Sequence, residues 1–181
     1  MTRETAWTLV TTMVKNNNLR KHMLATEACL RRLAQRLGGD PEAWGLAGLV
    51  HDVDYEQTKD DTDRHGLVGA AVLEEQGFGD DIIHAVRSHG GNEPVESDLD
   101  RALYAADPLT GLIVAAALMH PDKRLAALDV EFVMRRYKTK GFARGANREQ
   151  IETCSGLGLP LEEFIGICLD AMRGVSADIG L

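Results

Sequence analysis

A histidine and an aspartate, His51 and Asp52, stand side by side at the end of the apolar run 44–50, Trp-Gly-Leu-Ala-Gly-Leu-Val. Burying such a pair costs free energy unless something pairs with it. A divalent cation does so, because a neutral imidazole and an ionised carboxylate are both metal ligands. Any fold open to this chain must therefore pack apolar helices around a polar interior point and bring further polar groups to it.

Helical periodicity runs through most of the sequence. Residues 2–14 place Trp7, Val10, Met13 and Val14 at helical spacing, and Asn16-Asn17-Asn18 is expected to end that helix. A second helix spans 19–37, with Gly38-Gly39 as its stop, and carries His22 on a stripe with Thr26, Cys29 and Leu33. Asp40-Pro41 reads as an N-cap followed by a first-turn proline, opening the helix that leads to His51. The acid-rich segment 53–64 reads as a loop, and the next helix is expected to hold His65 in its first turn, on one face with Val68 and Val72. In 80–89, Ile82, Val86 and His89 fall at i, i+4 and i+7, so His89 belongs to a buried stripe while His84 points outward. Residues 99–107 form a helix with Asp107 one turn after Leu103; Pro108 is expected to kink or break it before the apolar helix 109–119. Segments 130–138, 148–157 and 161–175 are helical, and no strand-like alternation is sustained. The expected fold is all-α: a metal-binding helical bundle over 1–125, with a C-terminal helical extension, 126–181, packed on it as one compact unit.

Net charge is −8, so a broad nucleic-acid-binding face is not expected; a small phosphorylated partner remains open, because a local basic patch can sit on an acidic protein. Three widely spaced cysteines, Cys29, Cys154 and Cys168, suggest free thiols in a reducing compartment. No signal-peptide core follows residues 1–5, and the run 109–119 falls short of the roughly 20 residues that span a bilayer. The expectation is a cytoplasmic protein without membrane contact, homo-oligomerisation being left open.

His22, His51, Asp52, His65, His89 and Asp107 are polar groups on or beside stripes patterned for burial. A lone inward histidine is ordinarily a satisfied core residue, but six such groups would each need a partner in a low-dielectric interior. Mixed His/Asp ligation suits Mn, Fe, Co, Ni or Zn, with Mg also open. Six ligands exceed the needs of one catalytic zinc, which points to two ions with Asp52 between them.

The order His, His-Asp, His, His, Asp resembles that of the HD superfamily of metal-dependent phosphohydrolases, over roughly residues 19–120. The resemblance implies an all-α HD-type bundle in which His22, His51, Asp52 and Asp107 hold a first ion and Asp52, His65 and His89 a second. It also implies a metal-activated water as nucleophile; with one ion only, His65 or His89 becomes a general acid or a phosphate contact. The superfamily's cyclic-dinucleotide phosphodiesterases carry a Lys three residues after the His-Asp pair, where this chain has Tyr55. They carry Gly-Tyr-Pro after the late histidine, where it has Gly90-Gly91-Asn92-Glu93-Pro94, and often a Glu four residues before the first His, where it has Asn18. These departures disfavour that activity. The stretch 102–111, Ala-Leu-Tyr-Ala-Ala-Asp-Pro-Leu-Thr-Gly, is similar to stand-alone bacterial HD proteins known only as predicted hydrolases. The implied function is hydrolysis of a phosphate ester of a nucleotide or other small molecule. The alternatives are an HD-fold dinuclear-iron oxygenase and a non-catalytic metal-dependent binding module.

Four cations are candidates for substrate phosphate: Lys59 and Arg87, near ligands in sequence, and Lys140 and Arg144. The last two belong to a basic stretch with Arg135, Arg136, Lys138 and Arg148, which reads either as a solvated face or as a flap over the metals.

Overall fold

A computed structural model describes residues 1–181, which form eleven α-helices joined by short 3-10 turns and contain no strand. The helices are α1 (Arg3–Met13), α2 (Asn17–Leu37), α3 (Pro41–Val50), α4 (Tyr55–Thr58), α5 (Leu67–Glu75), α6 (Asp80–His89), α7 (Asp98–Met119), α8 (Val130–Lys138), α9 (Arg148–Glu152), α10 (Leu161–Gly174) and α11 (Ser176–Ile179). The all-α class expected from the residue pattern is the class observed.

Local chemistry sets the ends of the helices that matter most. Asp40 caps α3 by accepting from Glu42 N, with Pro41 in the first turn. Gly38 closes α2 in the left-handed region at φ 80°. Asn16 is not merely the end of α1: its side chain accepts from Asn18 N and Leu19 N and so starts α2, with Asn17 and Asn18 already helical. Ser97 and Asp100 exchange side-chain and backbone hydrogen bonds in a capping box that opens α7.

The expected break in α7 does not occur. Pro108 does not end the helix, which runs unbroken through it. A mid-helix proline costs about 3 kcal/mol; here Pro108 is buried, and the side chains on either side of it are held in the core, including Leu103, Leu109, Leu112 and Ile113. The joined helix is therefore 22 residues long and, by length and composition, apolar enough to cross a membrane, unlike the segment 109–119 alone. Yet 61% of its most apolar window is buried inside the protein, as in a core helix.

One continuous apolar cluster runs through the molecule, from Ala6 on α1 to Ile179 on α11. The C-terminal segments share it: Phe164, Cys168 and Met172 of α10 are fully buried, and α10 packs on α2 while α9 packs on α7. Helices α2 and α3 lie closest. A Cβ built on Gly48 would come within 2.8 Å of the Thr26 carbonyl, so a residue without a side chain lets the two backbones meet.

Candidate metal centre

The structure brings all six sequence-selected residues to one place. His22 comes from α2, His51 and Asp52 from the turn after α3, His65 from the segment before α5, His89 from the last residue of α6 and Asp107 from the middle of α7. His65 is not in the first turn of α5. It follows a 3-10 turn, Thr62–Arg64, in extended conformation, and Gly66 at φ 80° then redirects the chain into the helix.

The six side chains face one another through metal-ligating atoms. His22 Nε2 lies 3.2 Å from His51 Nε2, and His65 Nε2 lies 3.1 Å from His89 Nε2. Asp52 sits between the two pairs. Its Oδ2 is 3.7 Å from His22 Nε2 and 3.6 Å from His51 Nε2, while its Oδ1 is 3.4 Å from His65 Nε2 and 3.5 Å from His89 Nε2. Asp107 Oδ1 adds a contact of 3.0 Å to His22 and 3.8 Å to His51. Two nitrogens each about 2.1 Å from one ion stand about 3 Å apart. Two groups, His22-His51-Asp107 and His51-Asp52-His89, have ligand atoms within 4.8 Å of one another.

Each imidazole is held from behind through Nδ1. His51 donates to Gly48 O at 2.9 Å and His89 to Val86 O at 2.6 Å. His65 donates to Asp54 Oδ1 at 3.0 Å. Thr110 Oγ1 donates to Asp107 O and therefore accepts from His22 Nδ1, at 2.9 Å. With Nδ1 protonated in all four rings, every neutral imidazole presents a bare lone pair at Nε2. Lone pairs converging at 3.1–3.2 Å in a buried site repel unless cations lie between them. The donor set therefore fits a divalent metal, with the outer hydrogen bonds that orient metal-ligating histidines.

Asp54 and Thr110 were not singled out by the sequence pattern. Asp54 is fully buried; besides His65, it accepts from Gly66 N at 2.9 Å and Gly69 N at 2.7 Å through Oδ2. It thus fixes both the ring and the start of α5. Its only sequence signal was its place two residues after Asp52, inside a segment read as an acidic loop.

The electrostatics follow from this geometry. Burial opposes charging His51, but Asp52 and Asp107 outweigh it and raise its pKa to about 9. Burial likewise opposes charging His65, and Asp52 and Asp54 raise it to about 10. Burial would raise both site carboxylates, yet the surrounding imidazoles hold Asp52 and Asp107 well below the ordinary range. Without metal the cluster keeps protons that an ion would displace.

Access is one-sided. His51 and His89 are 0% and 1% exposed in their side chains, whereas His22 and Asp107 are 23% and 30% exposed. A cavity of about 390 Å³ opens onto His22 and Asp107, walled by Pro108, Gly111, Ala143 and Ala146. On the far side of Gly111 a second one, about 350 Å³, also reaches His22, between Lys21, Val114 and Leu118.

The four candidate phosphate-binding cations lie outside the cluster. Arg87 is committed to Glu74 and Glu93, and Lys59 is exposed at the end of α4. Lys140 and Arg144 are exposed on the loop between α8 and α9. His84 pairs with Asp100 at 3.0 Å and Glu93 at 3.2 Å rather than standing free in solvent.

Residues 19–117, more than half of the chain, match the HD domain family. The protein belongs to that family. All six clustered residues fall inside the matched segment. Among curated relatives, this HD-domain chain is 32% identical to Ribonuclease Y of Nitratidesulfovibrio vulgaris over 96 residues, 53% of this chain and 18% of the relative. It is 29% identical to Ribonuclease Y of Oleidesulfovibrio alaskensis over 130 residues, 72% of this chain and 24% of the relative. It is also 28% identical to a tRNA (cytidine(56)-2'-O)-methyltransferase of Thermoplasma volcanium, over 70% of this chain and 38% of that protein. The HD-domain chain thus spans well under half the length of these relatives. No solved structure matches it.

Proposed function

We propose that this HD-domain protein is a metal-dependent phosphohydrolase acting on a phosphate ester of a nucleotide or other small phosphorylated molecule. The observation that carries the proposal is Asp52, whose two carboxylate oxygens each face a separate pair of imidazoles. His22, His51, Asp52 and Asp107 would hold one divalent ion, and Asp52, His65 and His89 a second. When bound, such ions supply Lewis acidity toward a phosphoryl oxygen and lower the pKa of a water near it.

The chain's own residues supply orientation and access. Gly48 O, Val86 O, Asp54 and Thr110 lock the four rings with Nε2 inward, so no ring must turn when an ion or substrate arrives. The buried wall of His51 and His89 excludes solvent from behind, which leaves the side of His22 and Asp107 for entry of a phosphate group. With a single ion, His65 or His89 would instead serve as a general acid, when protonated at Nε2 as well, or as a phosphate contact.

The relatives named for acting on RNA support a second reading, in which the ester is an RNA phosphodiester. A dinuclear-iron oxygenase and a non-catalytic binding module use the same ligands and differ in metal and turnover. Metal analysis of the purified protein, combined with a panel of phosphate monoesters, diesters and RNA, distinguishes these readings. Asp52→Ala is expected to lose metal and phosphate release together while keeping its helical circular dichroism. Full activity in that variant would overturn the mechanism. Iron with an oxygen-dependent colour change would favour the oxygenase.

A further inference from the structure

Arg148, the first residue of α9, points its guanidinium into the turn that precedes it. Nε donates to Tyr137 O at 3.3 Å, Nη1 to Ala143 O at 2.8 Å and Ala146 O at 2.6 Å, and Nη2 to Phe142 O at 2.7 Å. Carbonyl oxygens satisfy all these donors, so the loop 139–147 is shaped from inside by a cation whose charge no carboxylate cancels. Arg136 stacks on Phe142 with its guanidinium carbon 5.8 Å from the ring centre, adding a second cation to the base of the loop.

Three further cations, Lys138, Lys140 and Arg144, are exposed here without a carboxylate within 4.0 Å, whereas neighbouring Arg135 pairs with Glu131 at 2.6 Å. In a protein of net charge −8 the three gather, with Arg136 and Arg148, into a local cluster of positive charge. With Tyr137, Phe142 and Arg148 they line a hollow of about 660 Å³. Gly145 and Ala146 line both this hollow and the cavity that opens onto His22 and Asp107. The loop's own turn thus stands between the basic hollow and the cavity that reaches His22 and Asp107. The loop lies outside the residues matched to the HD family.

We propose that the loop 139–147 is an anion-binding arm of the metal centre, and that the substrate is a small phosphorylated molecule carrying a second phosphate. One phosphate faces the six-residue cluster while another is held by Lys140 and Arg144. This deepens the phosphohydrolase reading and rests on it. Because Arg148 already fixes the turn, little ordering is needed when the second phosphate docks.

Inorganic tripolyphosphate, long and highly charged, and inorganic orthophosphate are the probes, titrated calorimetrically into the purified metal-containing protein. In the double variant Lys140→Ala/Arg144→Ala the preference for tripolyphosphate over orthophosphate should fall about tenfold or more, since charge-assisted contacts to phosphate are lost. Metal content should stay at the wild-type level. A charge-matched control, Lys123→Ala/Arg124→Ala, should keep the preference. An unchanged preference in the loop variant, or an equal fall in the control, overturns the proposal. If the wild type turns over no phosphate ester yet shows the loop-dependent preference, the hydrolase reading falls and the anion arm stands. If it turns over phosphate esters while the loop variant keeps its preference, the arm falls and the hydrolase stands.

Discussion

Thr110 shows how much a single hydroxyl decides. It gives its proton to Asp107 O and offers its lone pair to His22 Nδ1, fixing the tautomer of a histidine 88 residues away. Replacing an outer hydrogen-bond partner of a metal ligand typically weakens metal binding 10- to 100-fold. Thr110→Val, nearly the same shape without the hydroxyl, is therefore expected to weaken metal binding by about that range with unchanged helicity, as measured by metal-competition titration. The six clustered residues were legible because imidazoles and carboxylates on apolar stripes are conspicuous. Thr110 and Asp54 were not, because a hydroxyl or a loop carboxylate has no distinctive pattern until the chain brings its partner near. The raised histidines have a consequence for pH. His51 and His65 hold protons more tightly when folded, with pKa values of about 9 and about 10 against 6.5 for an ordinary imidazole. That contribution to stability is complete below pH 6.5 and is lost as pH rises through 9 and 10. Urea denaturation of chelator-treated protein should show the midpoint falling from pH 7 to pH 10. Metal-loaded protein, whose liganding imidazoles are already neutral, should not show that fall.

At the scale of elements, stops and starts proved harder to read than the helices themselves. Asp40-Pro41 and Gly38 announce their roles through fixed backbone preferences, and the structure agrees with them. Pro108 announced a break that did not occur, because apolar side chains on both flanks are buried and their packing outweighs one missing amide donor. His65 resembled a helical residue by spacing alone, yet Asp54 holds it ahead of α5, a tertiary contact that periodicity does not contain. The pairing of α2 with α3 depends on Gly48 facing the Thr26 backbone. Gly48→Val should push the two helices apart. Because backbone cannot yield as a flexible side chain does, the cost should reach about 1–3 kcal/mol, the usual range for overpacking. Separating His22 from His51 should also lower metal content. Chemical denaturation and metal analysis on the same sample check both effects.

Across the whole molecule, the segment 126–181 completes the core that carries the cluster. Phe164, Ile165, Cys168, Leu169 and Met172 are all buried, and α10 covers α2, the helix that bears His22. Burying a large apolar side chain contributes about 1.5–3 kcal/mol, and net folding stability is typically only about 5–15 kcal/mol. A chain ending at residue 125 is therefore expected to lose cooperative unfolding and bind a hydrophobic dye, as thermal melts and dye fluorescence would show. Gly111 stands on the exposed side of α7 between the two cavities that reach His22, and a Cβ there would meet nothing within 4 Å. The approach to the six-residue cluster is thus narrowed by no side chain at that point of α7. A bulky residue there, as in Gly111→Trp, would reach over both hollows and is expected to hinder entry without a clash in the hydrophobic interior.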